Sequence, residues 1–99
     1  MEFEIRQVSW FITIMINYDL TKKDVLILNH LIMKYADFEE MKTFYVKQTT
    51  IAAELSMQQP NVSRSFKKLQ SSGLLVELSP NAYCIRITDL TLAHADQID

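Results

Sequence analysis

The sequence predicts a small single domain, mainly α with a minor β-sheet, built around two helices joined by a tight turn. Three observations predict it. Apolar residues recur at helical spacing over 25–35 and 51–69. The β-prone runs are short and confined to 44–46 and 74–87. A chain of 99 residues favours one domain, and 48% apolar residues with 10% aromatics fill a modest core without disulfide or metal staples. No repeat, low-complexity run or Pro/Gly/Ser-rich linker divides it.

Residues 1–18 read two ways. Phe3, Ile5, Val8, Trp10, Ile12, Ile14 and Ile16 nearly alternate, which fits a strand, whereas Phe11, Ile12 and Met15 make a helical cluster. A short helix over 8–17 is preferred, because the chain that follows is helical. Val8, Trp10, Phe11 and Ile14 serve either core packing or a homodimer interface.

Leu20-Thr21-Lys22-Lys23-Asp24-Val25 is a helix start. Thr21 is the predicted N-cap, Asp24 reaches back from three residues on, and Leu20 and Val25 occupy the two positions of a hydrophobic staple. Val25, Leu28, Leu31, Ile32 and Tyr35 then share one broad face, and the helix fades near Ala36–Asp37. The acidic segment Asp37–Glu40 is a loop, and Phe44–Val46 is a short strand.

Thr49 or Thr50 is the predicted N-cap of a short helix over Ile51–Leu55. A tight turn at Ser56-Met57 leads to a second helix over Gln59–Ser71, where Pro60 is tolerated because it lies in the first turn. Gly73, free to adopt a left-handed conformation, stops that helix. Two β-prone runs within 74–87 flank Ser79-Pro80-Asn81 and read as a hairpin, and 88–99 are a short helix or a frayed end.

The chemistry lies in Lys47–Ser71. Ile51, Ala52 and Leu55 form the inner face of the first helix, Met57 fills the turn, and Val62, Phe66 and Leu69 line the second at i, i+4 and i+7. Ala52 is small where two helices cross closely. This is a helix-turn-helix pattern. The outward residues are Gln58, Gln59, Asn61, Ser63, Arg64, Lys67 and Lys68. Gln and Asn amides match the adenine edge and Arg the guanine edge, while Ser and Lys reach phosphates. The expected partner is double-stranded DNA, with Gln59, Asn61 and Arg64 reading bases and Ser63, Lys67 and Lys68 holding phosphates. Thr49, at the start of the first helix, joins the DNA-facing set.

Ile51-Ala-Ala-Glu-Leu-Ser-Met-Gln-Gln-Pro-Asn-Val-Ser-Arg, followed by Lys67-Lys68-Leu69 and Gly73-Leu74-Leu75, resembles the winged helix-turn-helix of MarR-type regulators and of RepL-type plasmid replication proteins. The specific match covers about 51–75 and a looser one about 20–90. The resemblance implies that Gln59, Pro60, Asn61, Ser63 and Arg64 face the major groove. It also implies that a wing tip at Ser79–Ala82, carrying Asn81, approaches the minor groove or backbone. Ser56 stands where the pattern has a turn glycine, and the wing tip has no Arg or Lys; Arg86, at the hairpin's end, is the cation left to reach a phosphate. The expected role is a transcriptional regulator or a plasmid or phage replication or partition factor. It would act as a homodimer, with room for a protein partner encoded at the same locus. The alternative is a winged-helix protein–protein module, motivated by Asp37–Glu40 and the apolar N-terminus.

Composition excludes other chemistries. One glycine cannot supply a dinucleotide fingerprint or a Walker A loop. One cysteine, Cys84, excludes an internal disulfide, CxxC redox chemistry and a zinc site with two cysteines. His30 reads as a packed or polar-edge histidine, and His94 and Asp96 lack a third ligand, so no metal or cofactor is expected. No nucleophile elbow or paired carboxylates in a recognisable frame suggest an enzyme. The most apolar stretch, Val8–Ile16, is short of the roughly 20 residues that span a bilayer, and it follows Glu2 and Glu4 rather than a basic leader. A cytoplasmic location is expected. The net charge of −2 is unevenly spread: Lys47–Ser71 holds four basic residues and one acidic, the remainder six basic and eleven acidic.

Overall fold

The computed structural model describes residues 13–87. Val8, Trp10 and Phe11, the start of the predicted 8–17 helix, and the 88–99 segment with His94 and Asp96 lie outside the described residues. Among those described, residues 13–18 are helical and form α1. Asp19 follows at φ 54, and Leu20 N donates back to Met15 O at 3.0 Å, which closes the helix. Ile14 is buried in the monomer core rather than displayed on the surface. Its side chain therefore takes the packing role of the two open to it, and a homodimer interface has little of it to use.

Helix α2 spans Lys22–His30 and begins as the sequence predicts. Asp24 N donates to Thr21 Oγ1 at 3.2 Å, and Thr21 N donates to Asp24 Oδ2 at 3.0 Å. Leu20 is buried beneath the turn and Val25 packs against the core, as a staple requires. The helix does not stay α to its end. Leu31–Ala36 form a π-helix, closed by Asp37 in the left-handed region at φ 52. Within that wider turn Leu31, Ile32 and Ala36 are buried, while Lys34 and Tyr35 reach another helix.

Strand β1 is Phe44–Tyr45. Helix α3 spans Gln48–Glu54, so it begins before the expected caps. Neither Thr49 nor Thr50 is the N-cap. Lys47 is, in extended conformation, and its carbonyl accepts from Thr50 N at 3.0 Å and Ile51 N at 3.2 Å. The chain leaves β1 already extended, which sets the first turn without a hydroxyl. Ser56 then takes φ 53, and Met57 N donates to Ala52 O at 2.9 Å. Helix α4 spans Gln59–Ser71 with Pro60 in its first turn. Gly73, at φ +81, allows Gly73 N to reach Gln70 O at 3.0 Å and Leu74 N to reach Leu69 O at 3.1 Å. These are the two bonds of a Schellman motif, and buried Leu69 and Leu74 supply its apolar contact.

Strands β2 (Leu75–Ser79) and β3 (Ala82–Ile85) form the hairpin, and β1 adds to the other side of β3, giving an antiparallel order β1-β3-β2. All four residues of β3 are buried, whereas β2 is buried at Leu75 and exposed from Glu77 to Ser79. Strand β2 therefore leaves the core as it approaches the tip, where Asn81 sits at φ 66, while β3 stays buried from Ala82 onward. A bulge between Glu77 and Ser79 adjusts the register there. The architecture is mainly α with a small three-stranded sheet, an arrangement compatible with a winged helix. Ile27, Leu28, Leu31, Ile51, Val62, Phe66, Leu69 and Ile85 are fully buried in its core, with the Phe66 and Tyr83 rings edge to face at 5.3 Å. Among the described residues no helix is long and apolar enough to cross a membrane.

Two backbone positions give opposite outcomes. An L-residue in the left-handed region is strained by about 1–2 kcal/mol, and glycine's extra freedom in the unfolded chain offsets about 0.4–1 kcal/mol of any gain. Ser56→Gly should therefore stabilise the fold by about 0.5–1 kcal/mol. At Gly73 a Cβ would meet nothing within 4 Å, so the backbone alone decides, and Gly73→Ala should destabilise by about 1 kcal/mol. Chemical denaturation of the two variants measures both signs.

Candidate functional site

Helix α4 is held from both sides by contacts that its own sequence does not contain. Its buried stripe is Val62, Ser65, Phe66 and Leu69. Ser65 is the polar member, and its hydroxyl donates to Asp24 Oδ1 at 2.6 Å. Asp24 thus caps α2 with one oxygen and grips α4 with the other, and it is itself buried. A buried carboxylate needs partners on its lone pairs, so the two helices are fixed in one register.

The supporting helix α3 is fixed by a second carboxylate. Glu54 Oε1 accepts from His30 Nε2 at 2.8 Å and from Tyr35 Oη at 2.8 Å, and Oε2 accepts from Lys34 Nζ. These donors, led by His30, hold the Glu54 carboxyl down to about 2, below its ordinary 4.5. The same contacts push Lys34 above its usual value, with the Glu54 hydrogen bond as the main cause. The one acidic residue of the Lys47–Ser71 window is therefore turned toward the π-helix and away from the outward face of α4.

That face carries exposed Gln59, Pro60, Arg64 and Lys67, with Asn61, Ser63 and Lys68 half-buried on its flanks. Gln58 is exposed as the N-cap but makes no side-chain cap bond. Arg64 Nη1 donates to Asn61 Oδ1 at 3.1 Å. This bond orients the guanidinium and occupies the Asn61 carbonyl, so a two-point contact from Asn61 to adenine requires it to open. Lys68 Nζ lies 3.7 Å from Asp19 Oδ2.

Two grooves flank α4. One, of about 380 Å³, brings Thr49 and Gln59 together with Pro80 and Asn81 of the hairpin tip, and adds Lys47, Gln48, Glu77 and Tyr83. Burial pushes the Tyr83 hydroxyl up, and the Glu77 charge adds to that shift. The other groove, of about 450 Å³, sets Asn61, Arg64 and Lys68 against Lys22 and Lys23 at the start of α2. Arg86 joins neither. Its amide donates to Leu74 O at 2.8 Å, which places it at the base of the hairpin, the end opposite Asn81.

The sequence reading missed Lys22, Lys23, Lys47 and Ser65. Ser65 carried a signal: it stands three residues after Val62 and beside Phe66, on the stripe that packs inward. Among the described residues no three His, Cys, Asp or Glu side chains come together as metal ligands. Cys84 is buried, and burial pushes its thiol up from 9.0. Against known proteins, the chain matches no family model, no curated protein and no solved structure. The likeness of residues 51–75 to winged helix-turn-helix families rests on the motif itself.

Both carboxylate ties are testable. Ser65→Ala leaves Asp24 Oδ1 buried without its donor and should destabilise by about 2 kcal/mol, the usual cost of losing a hydrogen bond to a charged group; urea unfolding measures it. Glu54 is held below its ordinary value in the fold, so its stabilisation is present above about pH 4.5 and lost as pH falls toward about 2. Acid titration of thermal stability should show wild type losing its advantage over E54Q across that window, with the two curves meeting at its lower end.

Proposed function

We propose that the chain is a sequence-specific double-stranded DNA-binding protein that inserts α4 into the major groove. The observation that carries this reading is the outward face of α4: it has Gln, Asn, Ser, Arg and Lys, and the helix contains no acidic residue. A helix about 10–12 Å across fits a major groove about 12 Å wide. Gln59 and Arg64 meet base edges, with Asn61 steering the Arg64 fork. Ser63, Lys67 and Lys68 meet phosphates. Thr49 and Asn81 border the groove on the hairpin side.

One short reading helix covers few base pairs, so a cytoplasmic homodimer on a palindromic or repeated site is the form that gives useful specificity. The biological role is that of a transcriptional regulator or of a plasmid or phage replication or partition factor. A second reading, a winged domain that docks a protein partner, is favoured by exposed Ile16, Leu26 and Met33.

Selection of bound sequences from a random duplex pool separates the two. Recovery of a consensus supports DNA recognition, and no enrichment at low or moderate salt sinks it in favour of the protein module. Arg64→Ala should relax preference at one base position at a cost of about 1–3 kcal/mol. Lys67→Ala should weaken every duplex alike and lower the salt slope by about 1. Binding isotherms at several salt concentrations read both.

A further inference from the structure

The groove between α2 and α4 has a charge pattern that the fold does not need. Lys22 and Lys23 from α2 and Arg64 and Lys68 from α4 line it. Two carboxylates offset this charge only in part: Asp24 is among the lining residues and Asp19 lies on Lys68, so the lining holds four cations against one acid. Asp24 is buried, with Oδ1 taken by Ser65 and Oδ2 by the Thr21 amide. Asp19 reaches only Lys68, at 3.7 Å, from a fully exposed side chain. Among the described residues Lys22, Lys23 and Arg64 have no carboxylate partner.

The position of the two lysines is the second observation. They are the first two residues of α2, where the helix dipole is positive and repels cations. Within that turn the Thr21 and Asp24 amides are taken by the capping box, so the lysine side chains, and not the helix end, carry the inference. Four cations gathered around one open groove, two of them set against a dipole, oppose folding slightly and favour an anion there.

We infer that this groove holds the phosphodiester backbone of the strand that borders the major groove on the α2 side. The inference rests on the reading of α4 as the major-groove helix. A helix that fills the groove presses both flanks against sugar–phosphate walls. The Gln59 flank faces the hairpin tip and Lys47, and the Arg64–Lys68 flank faces Lys22 and Lys23. The hairpin tip, Ser79–Ala82, has no cation of its own. The α2 lysines supply the backbone charge that the wing does not.

The test uses the full chain carrying K22Q/K23Q, each single variant, and K42Q, a lysine before β1, as the control. Affinity is measured by fluorescence anisotropy for a random-sequence duplex and for the selected one, from low to moderate potassium chloride. Each lost phosphate contact should reduce the salt slope by about 0.9, so the double variant should lose about 1.8 on both duplexes and each single variant half of that. K42Q should keep the wild-type slope. Thermal unfolding should be unchanged or raised in the double variant, because a repulsion with the dipole is removed. An unaltered slope in K22Q/K23Q overturns this inference and leaves the α4 reading standing. A wild-type chain that binds no duplex overturns both. A titration with inorganic phosphate, followed through the amide resonances of residues 21–24, distinguishes the source of the phosphate. Saturable shifts there, together with an unaltered duplex slope, would make the groove a small-anion site and overturn the backbone assignment.

Discussion

The carboxylate of Asp24 is the contact on which the placement of α4 depends. It takes the Thr21 amide at the start of α2 and the Ser65 hydroxyl in the middle of α4, and both Asp24 and Ser65 are buried. An apolar contact tolerates sliding along a helix, but a buried carboxylate tolerates little, because moving either partner leaves a charge unsatisfied. The tie holds the outward face of α4 in one rotational setting. Arg64, Lys67 and Lys68 then project from a helix that cannot roll against its support. Glu54 does the same for α3 at the rim, through His30, Lys34 and Tyr35. The π-helix at Leu31–Ala36 is the segment from which two of those three donors arise.

A chain with one glycine still has to turn. Among the described residues six non-glycine residues adopt positive φ: Asp19, Asp37, Phe38, Met41, Ser56 and Asn81. Asp and Asn tolerate that region because their short side chains satisfy local backbone groups, and they account for three of the six. Phe38 and Met41 lie in the loop between the π-helix and β1. Ser56 is different in kind, because it sits in the turn that sets α3 against α4. The strain there is held by Met57 N on Ala52 O and by the burial of Ile51, Ala52 and Val62. The one glycine stands where both an αL residue and a following apolar anchor are needed, between α4 and the hairpin.

Charge follows the same division of labour. The acidic surplus of the chain lies outside Lys47–Ser71, and the acid inside that window, Glu54, faces its own three donors. Lys22 and Lys23 belong by sequence to the acidic remainder, yet they line a groove with Arg64 and Lys68. A net charge of −2 therefore coexists with cations gathered around α4 from α2, from Lys47 at the N-cap of α3 and from α4 itself.

Local causes were readable along the chain. Thr21 and Asp24 form a capping box because they are three residues apart, α4 runs from Gln59 to Ser71 because Pro60 suits its first turn and Gly73 its end, and the hairpin turns at Pro80-Asn81. Each of these is a preference of a few neighbouring residues, which sequence order by itself determines. The start of α3 at Gln48, the π widening after His30, the Asp24–Ser65 bond across 41 residues and the meeting of Lys22 and Lys23 with α4 were not readable in that way. They were decided by the tertiary structure, because each depends on which distant side chain arrives to satisfy a buried group or share a groove. Spacing along the chain carries no record of that arrival.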